Sequence, residues 1–178
     1  LRRHLGLRQE LSILYAPSWE NHGKQDDFVR ALRDLPVNLL LKQAPWSDNY
    51  PQVLASIAEM NRIHRDAGPD VHIISPEVGI IHCLALADVM VSDESSVLIE
   101  ALLLDVPGIA VIDWLIPDCS PPRLACVPFD FVTKVERAAL RATVEGILAQ
   151  LPETRSRLAA LRDRHFSCLG SSATRIMD

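Results

Sequence analysis

No stretch of the sequence is long and apolar enough to cross a membrane as a helix. The longest apolar run, residues 97–104, is interrupted by Glu100 and is far shorter than the roughly 20 residues that such a helix needs. Basic residues are in the minority as well, with 18 Lys and Arg against 23 Asp and Glu, for a net charge of −5. That balance argues against wholesale attraction to DNA, RNA or anionic lipid but leaves room for a small anionic ligand. We therefore expect no nucleic acid partner.

Clustered metal ligands are also missing. The four cysteines lie far apart without a CxxC spacing, and the six histidines form no HxH or HxxxH pair, so we expect no metal site and no dense disulfide framework. This cysteine usage fits the reducing cytoplasm. The GxSxG turn of α/β hydrolases and the GxGxxG loop of NAD- and FAD-binding domains are absent. The catalytic residues stay unknown, and His22, after the first predicted strand, is the histidine best placed for acid–base chemistry.

The sequence does contain a regular alternation of predicted strands and helices. With 178 residues, 48% of them apolar, the chain has the size of one α/β domain. Short apolar runs alternate with longer stretches of helical periodicity, which is typical of βαβ units and a parallel sheet. We therefore predict an α/β fold, a doubly wound parallel sheet that is Rossmann-like in plan. The predicted strands are residues 11–15, 37–41, 71–74, 89–91 and 108–112, and the predicted helices between them are residues 26–35, 52–66, 78–86 and 96–104.

Beyond Asp113 the alternation ends in a proline-containing loop, residues 117–122. We expect a short sixth strand near residues 126–131, followed by a helix with Thr133 as its N-cap. Pro152 then begins a last helix.

Ligands of doubly wound sheets bind outside the carboxyl ends of the strands. Three loops follow predicted strands there: residues 16–19, Ala-Pro-Ser-Trp; residues 42–46, beginning with Lys42; and residues 92–96, Ser-Asp-Glu-Ser-Ser. The last is the sharpest signal, because small hydroxyl side chains and free backbone N–H groups at a strand-to-helix turn suit a phosphate.

Two interpretations of this serine-rich turn stay open. Either Ser95 and Ser96 bind phosphate oxygens, or one of them only caps the following helix. Asp93 and Glu94 would repel an anion unless they point away or hold a cation. Glu100 lies one turn after Ser96 and either accepts hydrogen bonds from ribose hydroxyls or is merely stabilised there by the helix dipole.

Several segments, in this order, resemble the carboxyl-terminal half of the CDP-glycerol glycerophosphotransferase family, the teichoic-acid polymerases and primases with the two-domain GT-B glycosyltransferase fold. Residues 5–7 and 13–19, LGL and ILYAPSW, are similar to its LGL and ILYAPTW opening. Residues 87–96, ADVMVSDESS, followed by Glu100, resemble its aDvlItDYSS segment. Weaker matches are Pro107 and Asp113, in a kPiifyxyD run, and residues 170–176, in a DGxAsxRi element.

The resemblance implies a transferase that holds the diphosphate of a nucleotide-activated donor, CDP-glycerol in the best-known members, and that uses no cofactor. In such enzymes a polyol phosphate passes to a polymer or lipid-linked acceptor, in teichoic acid biosynthesis, within a cleft shared with an amino-terminal domain. We therefore expect residues 1–178 to be a single donor-binding domain, excised from a longer two-domain protein and inactive alone. The longer protein is expected in the cytoplasm, peripheral to the inner face of the membrane.

The resemblance also implies site residues at matching positions. The donor-phosphate ligands are Ser92, Ser95 and Ser96, and the ribose ligand is Glu100. The backbone near residues 75–78 would face the base. The cleft wall comprises Ser18, Trp19 and Lys42.

Three positions depart from the family pattern. Ala44 stands where the family has the histidine of a KxHP motif, whereas Glu94 replaces a tyrosine and Glu20 an arginine, which makes the expected site more acidic. The alternatives are therefore a UDP-sugar glycosyltransferase or UDP-N-acetylglucosamine 2-epimerase-like domain, and a non-catalytic degenerate GT-B module. Preference for uridine over cytidine nucleotides would identify the first, and failure to bind any nucleotide the second.

Overall fold

Short apolar segments form strands and longer periodic segments form helices, as the sequence predicts. The structure is a computed structural model that describes residues 2–167, 169 and 170; Cys168 and residues 171–176 of the weak carboxyl-terminal match lie outside them. The strands are β1 (Leu11–Tyr15), β2 (Val37–Lys42), β3 (Val71–Ile74), β4 (Val89–Ser92), β5 (Gly108–Val111), β6 (Leu115–Ile116), β7 (Arg123–Leu124) and β8 (Thr133–Val135). The helices are α1 (Arg2–Leu5), α2 (Lys24–Leu32), α3 (Pro51–His64), α4 (Ile80–Leu84), α5 (Val97–Leu103), α6 (Leu140–Ala149) and α7 (Leu151–His165), with a 3-10 turn at Arg137–Ala139.

Six of the strands form one parallel sheet in the order β3-β2-β1-β4-β5-β8. At its centre, Leu14 of β1 pairs with Leu40 of β2 on one side and with Met90 of β4 on the other. The chain fills one half of the sheet outward from β1, returns to the middle and continues outward from β4. The predicted doubly wound parallel sheet is confirmed, and its strand order is that of the Rossmann fold.

Apolar side chains build two cores, one on each face of the sheet. The central strands are buried on both faces, which is why they read as uninterrupted apolar runs in the sequence. On one face Tyr15 packs against Phe28 of α2, with ring centroids 5.1 Å apart. On the other face Leu14 belongs to a cluster with Leu84 of α4 and Leu98 of α5. Each fully buried side chain of this size contributes about 1.5–3 kcal/mol, and both layers of helices are thereby held against the sheet.

The segment after β5 differs from the predicted one. The sixth strand of the sheet is β8, not residues 126–131, and Thr133 begins that strand instead of capping a helix. Residues 126–131 form a loop, in which Val127 is buried and Phe129 packs against the same apolar cluster as Leu98. Burial of these side chains explains the apolar pattern without strand pairing.

The proline-containing loop holds two strands that the sequence does not predict. β6 and β7 pair antiparallel, with Leu115 opposite Leu124 and Ile116 opposite Arg123. This ribbon places Arg123 beside the turn that follows β4. The four helices predicted between the strands are confirmed with shifted ends, and α4 is the shortest of them. None of the helices in the described part of the chain combines the length and the apolarity needed to span a membrane.

Candidate functional site

A cavity of about 630 Å³ opens at the carboxyl edge of the sheet. Its walls are the loops that follow β1, β2, β3 and β4, at residues 16–19, 42–45, 76–80 and 94–97. β1 and β4 are neighbours in the sheet, yet the chain proceeds from them toward opposite sheet edges. Loops on the two sides of such a switch point diverge and leave a crevice, where the ligands of open α/β sheets bind.

Ser95 and Ser96 both line this cavity, at the turn between β4 and α5. Ser95 is buried and its Oγ accepts the backbone N–H of Val97 at 3.3 Å, whereas Ser96 is exposed. A hydroxyl accepts and donates at once, so Ser95 can cap the helix and still donate its proton to a ligand. Because α5 has only seven residues, these hydroxyls and nearby cations matter more here than a helix dipole.

Ser92 and Glu100 lie outside the cavity wall. The Ser92 side chain is fully buried, and its Oγ donates to the carbonyl oxygen of Ala16 at 2.7 Å. Ser92 therefore joins the end of β4 to the loop after β1. Glu100 is partly buried on α5, one turn after Ser96.

Lys42 supplies a cation to the cavity wall. The residue is buried, and its Nζ donates to the carbonyl oxygens of Gln43 at 2.6 Å and Pro76 at 3.0 Å. Burial lowers the pKa of the Lys42 ammonium, with Cys83 and Glu77 acting in the opposite direction. An ammonium has three N–H groups, so one of them is left to a ligand of this cavity.

Asp93 is neutralised by Lys24, the first residue of α2. The distance from Lys24 Nζ to Asp93 Oδ2 is 2.8 Å, and both side chains are buried. Asp93 also accepts the backbone N–H of Ser18 at 2.7 Å and that of Trp19 at 3.4 Å, while Lys24 donates to the Trp19 carbonyl oxygen at 2.9 Å. The ion pair thus ties the loop after β1 to the serine-rich turn.

Glu94 is paired with a cation as well. Arg123 of β7 donates to both carboxylate oxygens of Glu94, at 2.6 and 2.7 Å, and the backbone N–H of Cys126 donates at 2.8 Å. The guanidinium group holds the pKa of the Glu94 carboxyl below its usual range. Arg123 also pairs with Asp118, at 2.6 Å, so the three side chains keep one net negative charge. Glu94 therefore lines the cavity as a hydrogen-bonded carboxylate whose charge is partly offset by Arg123.

Glu20 does not line this cavity. It is fully buried, and its carboxylate accepts the Tyr15 O–H at 2.6 Å and the Gln43 amide N–H at 2.8 Å. Burial raises the pKa of the Glu20 carboxyl. This placement corrects the expectation of a more acidic site at Glu20, whereas Glu94 stays in the cavity wall and is paired with Arg123.

Ser18, Trp19 and Ala44 complete the wall that the sequence analysis singled out. Ser18 Oγ is buried and has no hydrogen-bond partner within the described residues. The Trp19 ring packs against Trp46, with ring centroids 4.7 Å apart. Ala44 is exposed at the rim and has no group that could transfer a proton. His22 lies in a neighbouring cavity instead.

Sequence reasoning missed Lys24, Arg123 and the aromatic partners of Trp19. The predicted helix begins at residue 26, so Lys24 fell before it, and only the structure places this cation in the first turn of α2. A cation there is disfavoured by the helix dipole, and the buried carboxylate of Asp93 holds it in place. Arg123 gave no signal in the sequence either, because the ribbon that carries it is formed by strands of two residues.

Comparison with known proteins yields no matching protein-family model and no matching curated protein. Solved structures do match. A variant of the wall teichoic acid polymerase TagF superimposes with a TM-score of 0.65 at 17% identity, over 99% of this chain and 44% of that one. A TagF variant soaked with CDPG superimposes with a TM-score of 0.61 at 17% identity, over 91% of this chain and 38% of that one. The chain has the fold of a GT-B glycosyltransferase domain.

Two further structures share this GT-B fold. A glycosyltransferase from Rickettsia africae ESF-5 matches with a TM-score of 0.64 at 15% identity, over 93% of this chain and 46% of that one. UDP-GlcNAc 2-epimerase from Neisseria meningitidis, bound to UDP-GlcNAc, matches with a TM-score of 0.57 at 14% identity, over 89% of this chain and 41% of that one. The chain spans less than half the length of each of these structures. The resemblance to teichoic-acid polymerases found in the sequence is thus confirmed at the level of the fold.

Proposed function

We propose that the chain is the donor-nucleotide-binding half of a GT-B transferase. In this proposal the enzyme moves glycerol phosphate, or a related polyol phosphate or sugar, from a CDP-activated donor to a cell-envelope polymer, in the cytoplasm at the inner face of the membrane. The observation that carries the proposal is the cavity at the switch point of the sheet, which combines two serine hydroxyls with the ammonium of Lys42. Hydroxyl and ammonium donors of this kind suit a diphosphate.

Each wall of the cavity has a role in the proposal. Ser95 and Ser96 donate to the phosphate oxygens from one side, and Lys42 from the other. The backbone near residues 75–78 faces the base. Glu100 meets the ribose where the nucleotide extends along α5, and Ser92 acts indirectly, by holding the loop after β1 in place.

The chemistry that these residues support is departure of a nucleotide. When the donor's bond to the transferred group breaks, negative charge grows on the phosphate that stays with the nucleoside. Hydroxyl and ammonium groups that are already fixed around that phosphate stabilise the charge without reorganising. Lys42 is held by two carbonyl oxygens, so its position is set before the donor arrives. The group that deprotonates the acceptor is assigned to a second domain across the cleft.

Uridine nucleotides are the specific alternative. The epimerase from Neisseria meningitidis bound to UDP-GlcNAc and the S. aureus MnaA structure with UDP share this fold. A UDP-sugar transferase or 2-epimerase-like domain would use the same hydrogen-bonding groups for the diphosphate and a different contact for the base. The exposed methyl group of Ala44 favours a third candidate, a degenerate module that binds no nucleotide.

Calorimetric titration with CDP, CDP-glycerol, UDP and UDP-N-acetylglucosamine separates these candidates. We expect cytidine nucleotides to bind, and the affinity to fall at least about tenfold in the double variant Ser95→Ala, Ser96→Ala, which loses two hydrogen bonds to a charged group. Ser156→Ala, an exposed serine on α7, is the matched control and should bind normally. Uridine preference would move the assignment to UDP-sugar chemistry, and binding by neither class would contradict the donor-site proposal for this chain.

A further inference from the structure

A second cavity, of about 610 Å³, lies on the other side of Trp19. We call it the Trp19–Tyr50 cavity. Its walls are residues 19–22 of the loop after β1, residues 49–53 at the start of α3, Ser56 and Pro117. Trp19 lines both this cavity and the one beside the serine-rich turn, so ligands in the two cavities would approach each other at its ring.

Three aromatic rings make one side of this region. Trp46 packs against Trp19 and Tyr50, with ring centroids 4.7 and 5.2 Å away. Trp19 and Tyr50 also contact each other, edge-to-face, at 6.2 Å. Tyr50 is 47% exposed, so its ring is accessible to a ligand. Packed against one another, the rings form a rigid apolar surface, which suits the C–H faces of a sugar or polyol.

Asn21 contributes an unsatisfied hydrogen-bond acceptor. Its Nδ2 donates to the carbonyl oxygen of Leu115 at 3.1 Å, which fixes the orientation of the amide. Its Oδ1 is buried and has no hydrogen-bond partner within residues 2–167, 169 and 170. A buried acceptor without a partner costs about 1–3 kcal/mol, and a ligand that carries a hydroxyl or amide N–H would satisfy it.

The charge of this cavity differs from that of its neighbour. No lysine or arginine is found among the described residues that line it, whereas Lys42 lines the first cavity. Its carboxylate, Glu20, already accepts hydrogen bonds from Tyr15 and Gln43. Aromatic faces, amide groups and the lack of lysine and arginine among the described lining residues favour a neutral hydroxylated ligand over a phosphate. The imidazole of His22 also lines the cavity.

We propose that the Trp19–Tyr50 cavity binds a neutral carbohydrate unit of the acceptor. Its role as an acceptor site rests on the proposed function, because only a donor in the first cavity makes the second one an acceptor site. Trp19 lines both cavities, and the donor phosphate and the acceptor sugar approach each other at the edge of its ring. Asn21 Oδ1 accepts a hydroxyl or acetamide proton of the sugar, and Tyr50 packs against its ring.

Nuclear magnetic resonance on the 15N-labelled chain tests this proposal, with chitotriose as a neutral trisaccharide probe and CDP as the nucleotide probe. We expect chitotriose to shift the backbone amide signals of Asn49 and Gln52, and CDP to shift those of Ser95 and Ser96. The indole N–H of Trp114 donates to Asp27 at 3.1 Å in the interior, so its signal should stay in place and report an intact fold.

Variants then locate the chitotriose site. Asn21→Ala and Tyr50→Ala should each weaken chitotriose binding at least about tenfold, since each loses a principal contact, while CDP binding stays unchanged. Tyr50→Phe should keep the affinity, because the ring and not the hydroxyl makes the contact. Asn61→Ala, an asparagine outside the cavity, and Leu124→Ala, an exposed apolar residue, are the matched controls.

Each outcome separates the two proposals. If CDP shifts Ser95 and Ser96 but chitotriose shifts neither Asn49 nor Gln52, the carbohydrate site is wrong and the donor site stands. If chitotriose binds and CDP does not, the donor site is wrong and the acceptor role falls with it, although the carbohydrate site remains. Chitotriose binding that survives both Asn21→Ala and Tyr50→Ala would also overturn the assignment of the cavity.

Discussion

Lys24 Nζ lies 2.8 Å from Asp93 Oδ2, and the two side chains are 1% and 0% exposed. Each charge is therefore balanced by the other in a place from which water is excluded. Because Asp93 also accepts the backbone N–H groups of Ser18 and Trp19, the pair connects the loop after β1 to the turn that carries Ser95. The Lys24–Asp93 ion pair therefore helps to fix the geometry of the cavity beside the serine-rich turn, although neither side chain lines that cavity.

Removing one charge of this pair should be costly. Lys24→Met leaves Asp93 buried without a counter-charge, and we expect the free energy of unfolding to fall by about 3–5 kcal/mol. Adding Asp93→Asn to that variant should recover part of the loss, because the uncompensated charge is then gone. Denaturant unfolding measures both changes.

The matched control for Lys24→Met is Arg62→Met, which breaks the exposed ion pair with Glu59. Exposed pairs are screened by water and contribute little, so this variant should unfold like the unaltered chain. Equal effects of the two substitutions would contradict the role given to the buried pair.

Lys42 should make nucleotide binding depend on pH. Burial lowers the pKa of its ammonium, so the charge is lost at a lower pH than in an ordinary lysine. A bound diphosphate favours the charged form, and we therefore expect the affinity for CDP to fall as the pH rises through this lowered pKa. Calorimetric titrations across the alkaline range measure the effect.

Lys42→Met should lower the affinity for CDP about tenfold, the effect expected of one charge-assisted hydrogen bond, and should remove the alkaline fall. Lys134→Met, an exposed lysine of β8, should change neither. An alkaline fall that persists in Lys42→Met would assign the titration to another group.

Arg123 should protect the cavity from the charge of Glu94. In Arg123→Gln the carboxylates of Glu94 and Asp118 both lose their guanidinium partner. Glu94 lies beside Ser95, and its repulsion should weaken CDP binding. Adding Glu94→Gln should restore the affinity. If Arg123→Gln binds CDP as well as the unaltered chain does, Glu94 has no electrostatic influence on the site.

The same pair predicts a pH dependence of stability. Hydrogen bonds from Arg123 hold the pKa values of Glu94 and Asp118 below their usual values in the folded state. The contribution of both carboxylates to stability is therefore present above their unfolded pKa values and is lost as the pH falls through the folded ones. Unfolding between neutral pH and about pH 3 should therefore show a smaller acid-induced loss in Arg123→Gln than in the unaltered chain.

Two glycines test the packing around α5 and α6. A Cβ on Gly108 of β5 would lie 2.9 Å from Leu98 Cδ2, so Gly108→Ala should destabilise the fold by about 1–3 kcal/mol. Among the described residues, a Cβ on Gly146 of α6 meets nothing within 4 Å, and Gly146→Ala should stabilise the fold by about 0.5–1 kcal/mol. Thermal unfolding of the two variants should shift in opposite directions, and a shift of the same sign would contradict this packing.

The parallel sheet could be predicted from the sequence because its central strands are buried on both faces. Runs such as residues 11–15 and 37–41 have few other interpretations in a domain of this size. The sixth strand was misplaced because residues 126–131 are apolar for a different reason, the burial of a loop against α5. Thr133 fits a strand and a helix N-cap equally well, and only its pairing with Ile109 decides between them.

The candidate site was predictable where local sequence determines it. The serine-rich turn and Lys42 follow strands directly, so their place at the sheet edge follows from topology. The partners of Asp93 and Glu94 come from distant segments, and no spacing rule connects Lys24 or Arg123 to them. Only the fold shows that Asp93 and Glu94 each lie beside a cation, which limits their repulsion of a bound anion.

The most direct test is a crystal structure of the chain with CDP bound. We expect the diphosphate to lie in the first cavity, with oxygen atoms within hydrogen-bond distance of the Ser95 and Ser96 hydroxyls and of Lys42 Nζ. A diphosphate bound at any other place on the chain, with these three groups uncontacted, would contradict the assignment of this cavity as the donor site.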